Sequence, residues 1–302
     1  MTRIGPNRGV VNVGDNNNVS GNAFEGSTVA YSLGQATDPT AQEPAKPEHP
    51  WDIGVVTILA EEAQAIHDTL GLAREPGRAG GLIFHTGRIE DHGQTKRVVA
   101  TRTHGQGQRS AMAACEHLRQ HFNPRLLVLF GIGGGLDDID VGDVVIGTRV
   151  VYYELRKEKP EATVRRGEDR ETPAEIVHSV NAFFTDHGEP AEFPGQVDEF
   201  RERTFRALPS PIGSGEAVVA DADSDIRSFL AGYNDKILAL DMEAGGLSQF
   251  WQENSADLGH NPGWLVVRGI SDNADSAKDD RHHRLAARNA AHVLRALLPY
   301  LP

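Results

Sequence analysis

Cysteine is almost missing from this chain: Cys115 is the single one among 302 residues. A disulfide framework and a thiolate metal cluster are thereby excluded, and a cytoplasmic location is the expectation that follows. Long apolar runs are also missing, none approaching the roughly 20 residues that cross a bilayer. No basic stretch followed by an apolar one opens the chain, so no secretory signal and no membrane partner are expected. Positive charge is in deficit, with 30 Lys and Arg against 43 Asp and Glu and a net charge of −13. That balance argues against a general nucleic-acid binder and leaves room only for a local basic pocket for phosphate. No His or Cys cluster shows metal-ligand spacing, so neither a metal nor a cofactor is expected.

What is present separates into three zones. Residues 1–35 are rich in Gly, Asn, Ser and Val; residues 36–50, "ATDPTAQEPAKPEHP", hold four prolines and read as an extended linker. From Trp51 to Pro302 short apolar runs alternate with amphipathic stretches. Strands are predicted at 52–59, 82–89, 97–103, 125–132, 143–153, 237–242 and 263–270. Helices are predicted at 61–70, 107–121, 174–187, 196–207, 223–232, 243–254 and 281–299. Several strands are continuous Val/Ile/Leu runs, as strands covered on both faces require. The pattern implies a three-layer α/β/α domain with a central mixed, mostly parallel sheet. In such folds ligands bind beyond the carboxyl ends of strands, so residues just after strands matter most.

Four such junctions stand out. The run 125–132 opens into "GIGGGLDDIDVGDVV", where Gly131, Gly133, Gly134 and Gly135 let backbone N–H groups approach a ligand, or simply make a tight connection. No helix-opening GxGxxG follows and no Lys-Ser/Thr pair closes it, which excludes the dinucleotide fingerprint and the P-loop. Ser271 and Asp272 end the run 263–270, where Asp272 either points into a site or caps a following helix. Met242 and Glu243 follow 237–242, and Glu61 and Glu62 follow the first strand. Singly, Glu243 reads as a dipole-complementing charge and Met242 as core; together the junctions converge on one site. The "HHR" run at His282–Arg284 reads as a solvated helix face.

The stretches "IGVVTILAEE", "THGQGQRSAMAAC", "LVLFGIGGGLDDIDVGDVV", "GSGEAVVA", "LALDMEAGGLSQF" and "WLVVRGISDNAD" together resemble the nucleoside phosphorylase and nucleosidase superfamily. The likeness is greatest to its methylthioadenosine/S-adenosylhomocysteine nucleosidase branch, and it spans essentially all of residues 51–302. The resemblance implies that Glu62 activates the attacking water, that Glu243 beside Met242 holds the ribose hydroxyls, and that Asp272 beside Ser271 donates a proton toward the departing purine. It places Val218 and Val219 at the base pocket, where the family keeps a bulky aromatic and an aliphatic residue. Gly133 and Gly134 line the substrate site in the same scheme. The family's phosphorylases keep an arginine just before the Gly loop; Leu129 and Phe130 stand there in this chain, which favours water over phosphate as nucleophile.

The tail "SDNADSAKDDRHHRLAARNAAHVLRALL" is similar to superfamily domains fused to signalling modules in immune proteins, some of which cleave ATP. Lys278 and Arg281 are then candidates to reach a substrate phosphate, or else a solvated helix start. The charged stretch 154–171, with Arg165, Arg166 and Arg170, reads as a lid or a solvated loop. The resulting expectation is an N-ribosyl hydrolase acting on a purine nucleoside or nucleotide in defence or stress signalling, as a homo-oligomer. The alternatives are a metabolic nucleosidase or phosphorylase and a nucleotide-sensing scaffold. Residues 10–30, with Val11, Val13 and Val19, an Asn ladder and no Pro, suit stacked in-register strands. Residues 11–19 resemble a RHIM-type amyloid motif through Val11, Asn12, Val13, Gly14 and Asn17, which implies a signalling partner; the alternative is a plain tail.

Overall fold

The computed structural model describes residues 51–75, 81–91, 93–161, 163–198, 201–255, 263–275 and 280–302, with side chains omitted for 196–203. The expectations for residues 1–35 and 36–50, and for Lys278, lie outside the described residues.

Strand β5 (Leu126–Gly135) is the axis of a 13-stranded mixed sheet. On one side it pairs in parallel with β1 (Ile53–Thr57), which pairs in parallel with β4 (Gln94–Arg102). On the other it pairs in parallel with β15 (Gly263–Asp272). Antiparallel pairs extend the margins: β2 (Ala73–Glu75) and β3 (Phe84–Asp91) flank β4, and β6 (Val144–Gly147) flanks β15. Alternation along β5 builds both cores at once. Leu126, Val128 and Phe130 enter one buried cluster with Ile66, Leu70, Phe183, Val293 and Leu294. Leu127 and Leu129 enter the other with Cys115, Leu118, Phe122, Leu247 and Phe250. Helices α1 (Ala60–Leu70), α3 (Ala174–His187) and α6 (His283–Leu297) thus cover one face, and α2 (Gln108–Phe122) and α5 (Ala244–Asn254) cover the other. The three-layer expectation holds.

The site originates in unequal strand lengths. β1 leaves β5 after Val56, opposite Leu129, and β14 (Ala239–Asp241) pairs with β5 only at Gly134 and Gly135. Between them one edge of β5 at Gly131–Gly133 has no neighbouring strand among the described residues, so its backbone is available to side chains. β14 continues to β13 (Ile212–Ser214) and β7 (Arg149–Tyr152), both running parallel at β13. Helix α4 (Asp225–Tyr233) packs there, its Ile226 and Leu230 buried in a smaller cluster with Val151 and Leu240.

Three expectations need correction. The helix predicted at 196–207 is instead the antiparallel pair β11 (Ala191–Asp198) and β12 (Arg201–Pro209). Phe193 stands opposite Phe205 with ring centroids 5.6 Å apart, and Phe205 and Ala207 are buried on alternate positions; that period of two outweighs the helix-favouring Glu and Arg. The single strand predicted at 143–153 divides at Thr148 into β6 and β7, because the halves pair with different neighbours, β15 and β13. The stretch 154–171 is ordered into β8 (Arg156–Glu158), β9 (Thr163–Arg165) and β10 (Glu168–Glu171). Arg165 bonds Asp225 and the Tyr153 carbonyl, and Arg170 bonds Glu168, Gln249 and Gln252, so neither is spare for a ligand.

Candidate active site

Glu62 sits in the first turn of α1, 2 % exposed. One carboxylate oxygen accepts the N–H groups of Ile58 at 2.7 Å and Leu59 at 2.8 Å. The other accepts Ile132 N–H at 2.9 Å, the backbone donor that the short β1 leaves unclaimed. Burial raises the Glu62 pKa; nearby Arg268 and the three N–H donors oppose that rise without cancelling it. Gly131 makes room here: a Cβ on it would stand 2.3 Å from Glu62 Oε1 and 2.5 Å from Arg268 Nη1.

Arg268 is the residue that sequence reasoning missed. It lies within the apolar run of β15, fully buried, on the same strand face as Val266 and Ile270, where Asp241 and Glu243 supply its partners. Its Nε and Nη2 donate to Asp241 Oδ2 at 3.0 and 2.7 Å, and Nη2 also donates to Glu243 Oε2 at 3.0 Å. Nη1 is buried with no hydrogen-bond partner among the described residues. It stands beside Glu62 across Gly131, yet the two charges close no direct ion pair. Burial alone would lower the Arg268 pKa; Asp241, Glu243 and Glu62 together raise it. Leu129 and Phe130 are buried before the Gly loop, as the sequence places them, and the cation beside the loop comes instead from the neighbouring strand β15.

Glu243, 5 % exposed, is the N-cap of α5, and Gly107 N–H donates to its Oε1 at 2.9 Å. Burial pushes its carboxyl up to about 7, with Asp241 adding to the rise while Arg268 and the Gly107 N–H resist it. Asp241, not singled out from sequence, caps α5 through Ala244 N–H at 3.0 Å and accepts Ser214 Oγ–H at 2.6 Å. Gln108 fastens the arrangement from α2, donating to Ser214 Oγ at 3.0 Å and the Gly215 carbonyl at 3.1 Å and accepting Gly246 N–H. Three buried carboxylates therefore surround one guanidinium, an arrangement with excess negative charge.

Asp272 is 4 % exposed; its Oδ1 accepts Ala274 N–H at 2.9 Å and its Oδ2 accepts Ser271 Oγ–H at 2.9 Å, so it fastens the turn after β15 rather than capping a helix. It stands immediately behind Gly134, whose added Cβ would lie 3.2 Å from Oδ1. A cleft of about 780 Å³, counted to its open mouth, is lined by Glu62, Gly133, Gly134, Val218, Val219, Met242, Glu243 and Ser271, with Asp272 and Arg268 behind its wall rather than on it. Val219 is buried while Val218 is 57 % exposed, so one side of the base region is open. Among the described residues, Arg281 is exposed and does not line the cleft, which corrects its expected reach toward a ligand. Asp280 and His283 line it instead, their side chains 3.2 Å apart, so His283 is not the solvated residue expected of the "HHR" run. The turn before α6 turns Arg281 outward and brings Asp280 and His283 to the cleft.

Unequal strands around a Gly-rich β5, with buried carboxylates at the ends of β14 and β15 and at the start of α1, define a three-layer α/β fold with an acidic cleft. The Phosphorylase superfamily matches residues 52–299, and the chain belongs to that family. Similar curated proteins include the ATP nucleosidase Cap17 of Escherichia coli, 25% identical over 266 residues that cover 80% of this chain and 50% of that one. The chain thus spans about half the length of that relative. The 5'-methylthioadenosine/S-adenosylhomocysteine nucleosidase of Staphylococcus haemolyticus is 25% identical over 257 residues, covering 82% of this chain and all of that one (100%). Among solved structures, the Helicobacter pylori nucleosidase of the same name superposes with a TM-score of 0.64 at 18% identity, covering 84% of this chain and 100% of that one. Futalosine hydrolase of the same organism gives 0.63 at 18% identity, covering 83% and 98%. These superpositions bear out the fold.

Proposed function

We propose that this chain is an N-ribosyl hydrolase that releases the base from an adenine nucleoside or nucleotide, ATP included, with water as nucleophile. The observation that carries the reading is the pairing of Glu62 with the unpartnered Nη1 of Arg268 across Gly131. A carboxylate and one N–H at that spacing suit a water, which accepts from Nη1 and gives its proton to Glu62. Inorganic phosphate would meet Glu62, Asp241 and Glu243 with a single guanidinium whose other N–H groups are already engaged.

The chemistry matches the charge. Cleaving an N-glycosidic bond builds positive charge on the sugar and negative charge on the base. The buried carboxylates complement the first, and Asp272 behind Gly134 supplies a proton toward the second. Glu243 takes the ribose hydroxyls, with Met242 beneath the sugar and Val218 and Val219 against the base. In this reading residues 1–35 recruit or polymerise the enzyme, as a homo-oligomer, in defence or stress signalling. The Gly- and Asn-rich composition of that segment supports that setting.

The test incubates the chain with ATP, AMP, adenosine and methylthioadenosine, with and without phosphate, and chromatographs the products. Free adenine from ATP without phosphate is expected, falling about 10²–10⁴-fold in Glu62→Gln and in Asp272→Asn. Dependence on phosphate sinks the hydrolase reading. Release from methylthioadenosine alone favours the second reading, a metabolic nucleosidase, which the full-length match to the Staphylococcus enzyme supports.

A further inference from the structure

The catalytic cleft adjoins a second groove. Leu59 and His283 line the cleft; the next residues, Ala60 and Arg284, line a groove of about 1310 Å³, counted to its open mouth, between α1 and α6. Its α6 wall presents Arg284 and Arg288, four residues apart and so about 6 Å apart on one helix face. Its α1 wall presents Glu61, Gln64 and Asp68. The arginines face these carboxylates without closing an ion pair with any described residue, while Asp68 is engaged by Gln64 at 2.7 Å. Two guanidinium groups are therefore held at the edge of an acidic molecule with their donors unspent.

The orientation of a nucleoside follows from the site, and this step rests on the function proposed above. The base lies by Asp272, C1′ faces Glu62, and the 2′- and 3′-hydroxyls face Glu243. The remaining ribose substituent, C5′, leaves across the ring from C1′, toward the cleft wall that those groups do not occupy. That wall is Leu59 and the Asp280–His283 pair, where the two grooves meet.

We infer that the α1–α6 groove is the subsite for the 5′-phosphate chain of a nucleoside polyphosphate, with His283 at its threshold and Arg284 and Arg288 binding the outer phosphates. Guanidinium forks suit phosphate oxygens, and charge-assisted hydrogen bonds of this kind are about twice as strong as neutral ones. Asp280 fixes the position of the His283 ring beside the phosphate nearest the sugar. Glu61 and Asp68 on the facing wall lower the affinity for an anion without the nucleoside anchor, so free tripolyphosphate is expected to bind only at millimolar concentration.

The test compares wild type with the double variant Arg284→Ala/Arg288→Ala. Two readouts are taken: kcat/KM for ATP and for adenosine by base release, and inhibition of adenosine turnover by inorganic tripolyphosphate. The expected result is a loss of about tenfold or more in kcat/KM for ATP with adenosine within twofold, and tripolyphosphate inhibition weakened to match. Equal losses on ATP and adenosine, or no loss on either, overturn the subsite. A wild type that turns over adenosine but not ATP fails the ATP reading of the function. Tripolyphosphate inhibition then decides the groove by itself, and insensitivity of the wild type at millimolar concentration overturns it.

Discussion

Arg268 shows why a site residue can hide in plain sequence. It sits in "VVRGI", flanked by residues that mark a buried strand, and a strand covered on both faces has no ordinary place for a guanidinium. That mismatch is the available signal, since a fully buried charge needs partners such as Asp241 and Glu243. Glu62, Glu243 and Asp272 are legible because strand-to-helix junctions can be located from periodicity alone. Asp241 is not, being at the end of β14 and indistinguishable there from a cap. The raised Glu243 pKa makes a prediction at this scale. In the proposed function Glu243 accepts the ribose hydroxyls as a carboxylate, and burial pushes its carboxyl up to about 7. The kcat/KM profile therefore has an acidic limb near that pH, rising with pH, which Glu243→Gln removes along with most activity. A flat wild-type profile between about pH 5.5 and 8 contradicts it. The same group affects stability with opposite sign: the folded chain holds this proton more tightly than the unfolded one, so raising pH from about 4.5 to about 7 weakens the fold through Glu243.

Elements divide by length in how plainly they can be read. α3 is expected at 174–187 and forms Ala174–His187, because its buried Ile176, Val180, Phe183 and Phe184 recur at helical spacing. β13, three residues between Pro211 and Gly215, is too short to carry any period, yet it supplies Ser214 to the Asp241 network. The β11–β12 pair escapes a local reading because its cross-strand partners Phe193 and Phe205 lie too far apart in sequence for one window. Tight contact between elements also gives a prediction. A Cβ at Gly269 on β15 would stand 2.0 Å from the Ala286 carbonyl of α6, with the small Ala286, Ala287, Ala290 and Ala291 keeping the helix close. Gly269→Ala must push α6 away and is expected to cost about 1–3 kcal/mol, read as a lowered midpoint in urea. Because α6 carries His283, turnover should fall as well. An unchanged midpoint shows that the helix does not sit so close.

At the scale of the whole molecule, every described residue lining the cleft lies between Ile58 and His283, within the stretch 52–299 that matches the superfamily. A chain of residues 51–302 is accordingly expected to release base within about twofold of the full-length rate. A drop of more than tenfold would make residues 1–50 part of the catalytic machinery rather than a recruitment segment. The exposed edge of β5, left between the end of β1 and the start of β14, has a consequence for when activity arises. Its Ile132 N–H meets Glu62, 70 positions earlier in the chain, and the guanidinium beside that glutamate comes from Arg268 on β15, the last strand of the sheet. Contacts this distant in sequence form late, since loop closure must come before they hold. A growing or clipped chain that lacks β15 therefore has Glu62 without the guanidinium of Arg268, and lacks Ser271 and Asp272 as well. Under the proposed function, a chain ending before Gly263 is expected to release no base.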